Sequence, residues 1–125
     1  MKSNKNNFLI GRLNGAKYAI KGAFILLKTE ASIQVQFSIG IILTFAGFYF
    51  GISSTEWMFQ IISIGLILSI EGLNTAVEEI ADFIHPEFHK KIGLVKDIAA
   101  GAVFIAATSA IIVGLIIYLP KIIKL

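Results

Sequence analysis

The stretch that decides the fold is Glu71-Gly-Leu-Asn-Thr-Ala-Val-Glu-Glu-Ile-Ala-Asp82. It follows an uncharged run, Trp57–Ile70, and places four acidic residues and one amide in twelve positions. At about 100° per residue, Glu71, Asn74, Glu78 and Asp82 fall within roughly 80° of one another on a helix, with Glu79 at the edge of the arc. Carboxylates gathered on one face at the end of an apolar helix are costly, so they imply a functional role.

Composition explains why the cost is high. Of 125 residues, 56% are hydrophobic and only 15% charged, with a mean hydropathy of +0.81. A single small domain cannot bury that much apolar surface, so the chain reads as a membrane protein. It has no cysteine, which excludes disulfides and thiolate metal sites. The net charge of +3 comes from lysines that flank apolar runs, which is not the footprint of nucleic-acid binding.

Working outward, residues 1–7 are polar and read as a frayed arm. Residues 8–28 read as an amphipathic surface helix: Leu9, Leu13, Ala16, Ile20, Phe24 and Leu27 line one face, and Lys17, Lys21 and Lys28 gather beside it. A signal peptide is disfavoured because lysines interrupt the apolar run and no small-residue cleavage site follows. Ala31–Thr55 carry no charge, and one crossing needs about 20 residues. The first span is placed at 31–51, the second at 57–84 and the third at 97–119. Gly40, Gly47 and Gly51 allow close helix contact. Tyr49 and Trp57 are placed as interfacial anchors. His85-Pro86 ends the second span, because the residue before proline leaves helical geometry. Pro86–Val95 reads as a polar loop.

Lysine and arginine set the orientation. The N-terminal arm carries six (Lys2, Lys5, Arg12, Lys17, Lys21, Lys28), the 51–55 turn none and the 85–97 loop three (Lys90, Lys91, Lys96). The arm and the 85–97 loop are therefore expected on the cytoplasmic side of an inner or plasma membrane. Lys121 and Lys124 then end outside, outweighed by the larger count.

This topology brings Glu30, the Glu71–Asp82 face, Lys96 and Asp97 to one depth. Oxygen donors without His or Cys suit Mg²⁺ with phosphate oxygens, and a lysine nearby neutralises phosphoryl charge. The same carboxylates equally suit a proton or ion relay in a small transporter. Blander roles also fit: Asn74 as interhelical glue, Glu30 as a cap-region charge, Asp97 paired with Lys96, Glu79 and Glu87 solvated, His85 and His89 at the headgroups.

The Glu71–Asp82 stretch resembles the signature of the prokaryotic diacylglycerol kinase and undecaprenol kinase family, Glu-x-x-Asn-Ser/Thr-Ala-Ile/Val-Glu-x-x-x-Asp. The family's next block is matched by His89 and Val95-Lys96-Asp97-Ile-Ala-Ala-Gly-Ala-Val103, and upstream by Tyr18, Lys21-Gly22 and Glu30. The resemblance covers Phe8 to Pro120. It implies an all-α membrane protein with a surface helix and three transmembrane helices, assembled as a homotrimer with composite sites. The implied activity is transfer of the γ-phosphoryl of ATP, with Mg²⁺, to a lipid alcohol. By position, Glu71 is similar to the general base, and Glu30 and Glu78 to the metal ligands. Asn74 orients groups at the site. Lys96 is similar to the phosphate-binding lysine, and it contacts substrate with Glu71 and Asn74. Asp97, Gly93, His89 and Asp82 line the nucleotide side, with Tyr18 a further nucleotide contact.

The chain departs from the family at two places. Diacylglycerol-type members often carry Glu, and undecaprenol-type members His, where this chain has Gln36. An arginine is expected near position 11, which is Gly11 here, with Arg12 beside it. The Phe50-Gly-Ile-Ser and Glu56-Trp57 turn and the Tyr118-Leu-Pro120 ending are similar to the undecaprenol branch. The expected acceptor is therefore undecaprenol, with diacylglycerol the alternative.

Overall fold

In the computed structural model, residues 2–124 are described, with side chains from residue 5 onward. Lys2 of the basic arm thus has its side chain outside the described residues. Four helices follow one another: α1 (Lys2–Thr29), α2 (Ala31–Phe50), α3 (Ser54–Ile84) and α4 (Lys90–Ile123). The arm expected to fray is helical from Lys2; no Gly or Pro interrupts residues 2–7.

Each boundary has a local cause. Glu30 alone separates α1 from α2, with extended backbone at φ −104°, ψ 115°. Gly51 ends α2 at φ 61°, a left-handed position that a residue with Cβ adopts only with strain. Its role is thus a cap and not the helix contact expected of it. α3 then starts at once through a capping box: Ser53 Oγ accepts from the Glu56 N–H at 3.1 Å, and Glu56 Oε1 accepts from the Ser53 N–H at 2.9 Å. α3 ends at His85, ahead of Pro86. The loop expected to reach Val95 is shorter, because His89 caps α4: its Nδ1 accepts from the Lys91 N–H at 3.1 Å. α4 also continues through Pro120, inside its last turn. The Lys121 ammonium donates there to the Ile117 carbonyl at 3.1 Å.

α2, α3 and α4 are each long and apolar enough to cross a bilayer. α3 and α4 run antiparallel as the principal pair, α2 lies on α3, and α1 meets α2. Small residues set the closest approaches. A Cβ at Gly40 would stand 3.1 Å from Ile64, and one at Gly47 only 2.6 Å from the Trp57 ring. Trp57, expected as an interfacial anchor, lies over Gly47 and 4.9 Å from the Phe48 ring.

A polar knot joins the three long helices. Gln60, in the run read as merely uncharged, is buried; its Nε2 donates to the Leu43 carbonyl at 3.0 Å, and its Oε1 accepts from the Tyr118 hydroxyl. Around it Ile52, Ile117 and Tyr118 pack with Leu43, Trp57 and Val113. Two ion pairs pin α3 to α4 at opposite ends: Lys121–Glu56 at 2.8 Å and Lys96–Asp82 at 2.6 Å. Most other large apolar side chains point outward, as a lipid-facing surface requires.

Candidate functional site

The site is built on the last turns of α3, where the helical repeat stacks Glu71, Asn74, Glu78 and Asp82. Glu71 is buried, only 7% exposed. Beside it, the side chain of Leu26 from α1 stands 3.0 Å from where a Cβ on Gly72 would be. Gly72 therefore lets α1 close over the helix next to Glu71. No side-chain hydrogen bond is found to the Glu71 carboxyl among the described residues.

One turn along, Asn74 Nδ2 donates to Glu78 Oε1 at 2.8 Å. This bond fixes the rotamer of both residues. It also leaves Asn74 Oδ1 buried with no partner among the described residues, and an orphaned acceptor in such a place is expensive. Asn74 is thus not glue between helices; its amide serves the carboxylate face. The next turn brings in α4: Lys96 Nζ donates to Asp82 Oδ1 at 2.6 Å. The blander pairing of Lys96 with its neighbour Asp97 is not among the ion pairs of the described residues. Successive residues on a helix point in different directions, and Lys96 faces α3.

His89, Gly93 and Asp97 share an open hollow of about 680 Å³ on the first turns of α4, with Phe88, Lys90 and Lys91. His89 and Gly93 also border a second hollow that Lys96 reaches. The nucleotide-side candidates therefore form a continuous rim from Asp82 to Asp97. Two candidates stand apart. Tyr18 is exposed on α1, and Glu30 sits at the α1–α2 corner.

The donor chemistry fits a hard cation. Glu30 holds the N-cap position of α2, yet its side chain makes no capping bond, which leaves its carboxylate available among the described residues. Glu78 keeps one oxygen beyond the bond to Asn74, and Asn74 Oδ1 is unpaired. Among the described residues no three His, Cys, Asp or Glu side chains form a metal cluster. Mg²⁺ needs only one or two protein carboxylates, with phosphate oxygens completing its shell.

Sequence reading missed Gln34 and Gly72. Gln34 Nε2 donates to two carbonyls at the end of α1, and its only signal was an amide in the first turn of an apolar span. Gly72 had none, since a packing glycine looks like any other.

Comparison with known proteins adds a second line. The family model for prokaryotic diacylglycerol kinase matches residues 17–118. An undecaprenol kinase from Bacillus subtilis is 36% identical over 83% of this chain and 85% of its own length. A diacylglycerol kinase from Haemophilus influenzae is 32% identical over 82% and 86%, and one from Escherichia coli is 27% identical over 80% and 82%. The matched segment contains Tyr18, Glu30, the whole α3 face and the α4 rim. A membrane-spanning helical chain with this carboxylate, amide and lysine face, similar over most of its length to these kinases, belongs to the prokaryotic diacylglycerol kinase family of lipid kinases.

Proposed function

We propose that the protein transfers the γ-phosphoryl of ATP, with Mg²⁺, to the hydroxyl of a membrane lipid alcohol, with undecaprenol favoured over diacylglycerol. The observation that carries this reading is the α3 face itself. A buried Glu71 lies next to an Asn74–Glu78 pair with a spare buried oxygen, followed by Asp82 bound to Lys96. The transporter alternative is not carried forward, because the family is one of lipid kinases.

In this reading Glu71 accepts the proton of the lipid hydroxyl as its oxygen bonds to the γ-phosphorus. The bond from that phosphorus to the bridging oxygen breaks, giving lipid phosphate and ADP. Asn74 holds Glu78 in place. Glu30 and Glu78 hold the metal, which when bound neutralises phosphate charge. Lys96 supports the phosphates, and His89, Gly93, Asp97, Asp82 and Tyr18 line the nucleotide side. Apart from the proton, the task is positioning and charge neutralisation. The hydroxyl of a lipid lies at the bilayer boundary, and the face from Glu71 to Asp82 runs from within α3 toward that boundary.

The proposal extends to the assembly. α1 lies on the membrane surface with its lysines toward headgroups, and its N-terminus and the α3–α4 loop face the cytoplasm of the inner or plasma membrane. Three copies form a homotrimer with sites shared between subunits. The acceptor preference follows the Bacillus subtilis undecaprenol kinase and the turn and ending noted above. γ-Labelled ATP offered to the detergent-purified protein with a panel of lipid alcohols tests it. Labelled undecaprenyl phosphate is expected; a better yield from diacylglycerol would reverse the acceptor, and no labelled lipid would overturn the activity.

A further inference from the structure

The break between α1 and α2 is one residue wide, and one side chain closes it. Gln34 Nε2 donates to the Leu27 carbonyl at 3.0 Å and to the Lys28 carbonyl at 3.2 Å. A helix end leaves its last carbonyls without partners within the helix. Here the Glu30 N–H satisfies Leu26 at 3.0 Å, and Gln34 satisfies the next two carbonyls from inside α2. The backbone N–H of Gln34 also donates to the Glu30 carbonyl at 3.0 Å. One residue therefore grips the end of α1 with its side chain and Glu30 with its backbone. Between these grips Glu30 is extended, and its carboxylate makes no capping bond of its own. The corner, and not a bond to the carboxylate, sets where that carboxylate points.

We infer that Gln34 is a positioning residue for metal binding: its side-chain amide, by capping α1, fixes the corner that aims Glu30 at the metal. The inference rests on the reading of Glu30 as a ligand. It requires N–H donors at position 34 and is indifferent to the bulk there. Gln34→Leu keeps the bulk and removes the donors. Gln34→Glu keeps the shape and points a carboxylate at two carbonyls. Gln34→Lys retains donors and places a cation at a helix C-terminus, where it caps well.

The test is Mn²⁺ binding to the detergent-purified protein, followed by electron paramagnetic resonance with a non-hydrolysable ATP analogue. Gln34→Leu and Gln34→Glu are expected to weaken binding by roughly tenfold, as loss of a supporting residue behind a ligand does. Gln34→Lys should bind near the wild-type level, and circular dichroism should show all three folded. If Gln34→Leu fails to fold, the Glu and Lys variants decide. Wild-type binding in Gln34→Leu or Gln34→Glu would overturn the inference, and so would equal loss in the Lys variant. Glu30→Gln is measured alongside. Unchanged binding there would remove the ligand reading and the inference with it, whereas loss there with none at position 34 would remove the inference alone.

Discussion

Glu71 and Asn74 carry the sharpest expectations. Glu71 is buried beside the α1 contact at Gly72, with no side-chain partner for its carboxyl among the described residues. An amide of the same shape cannot take a proton from a hydroxyl. Glu71→Gln should lose turnover by on the order of 100- to 10,000-fold while remaining folded. Near-normal turnover would sink the base assignment. Asn74→Asp should behave differently. It exchanges the Nδ2 that donates to Glu78 for an oxygen that repels it, so the apparent Mg²⁺ requirement should rise; an unchanged Mg²⁺ response would mean that the Asn74–Glu78 bond does not serve the metal. The helical repeat made this face legible, because spacing alone decides which side chains share a face. What spacing left out was the partner of Lys96. Sequence adjacency suggested Asp97, and the antiparallel register of α3 and α4 delivered Asp82 instead.

At the scale of helices, the spans were legible because apolar runs of that length have few other uses. Their ends were less so. His89 caps α4 although histidine is not among the usual capping residues, so the helix starts at Lys90 well before the apolar run does. Trp57 reads as an anchor by its position near a turn, and Gly47 opposite it leaves a slot for the ring. The slot yields a prediction. Gly47→Ala places a methyl 2.6 Å from Trp57 and should destabilise the protein by about 1–3 kcal/mol, the cost of overpacking. Gly15→Ala, in α1 with nothing within 4 Å, should be neutral or stabilising by up to about 1 kcal/mol. Denaturant unfolding in mild detergent reads both, and equal effects would remove the special role of Gly47.

Across the whole molecule, the two ion pairs between α3 and α4 mark a fixed length. Glu56 and Asp82 are separated along α3 by about 39 Å of helix rise, and Lys121 and Lys96 close the same interval on α4. The hydrocarbon core of a bilayer is about 30 Å thick, so the interval is long enough for each pair to reach a headgroup layer. Such a gauge resists stretching and shrinking, and the consequence is sensitivity to hydrophobic mismatch. In phosphatidylcholine bilayers of increasing acyl length, lipid phosphorylation should pass through a maximum at the thickness that leaves both pairs hydrated, and fall on either side. Lys121→Met removes one stop and should broaden that maximum without touching the α3 face. A thickness profile that is flat in the wild type, or identical in the variant, would show that the bilayer is not being measured. If the profile is peaked, membrane thickness itself becomes a control on how fast the lipid alcohol is phosphorylated.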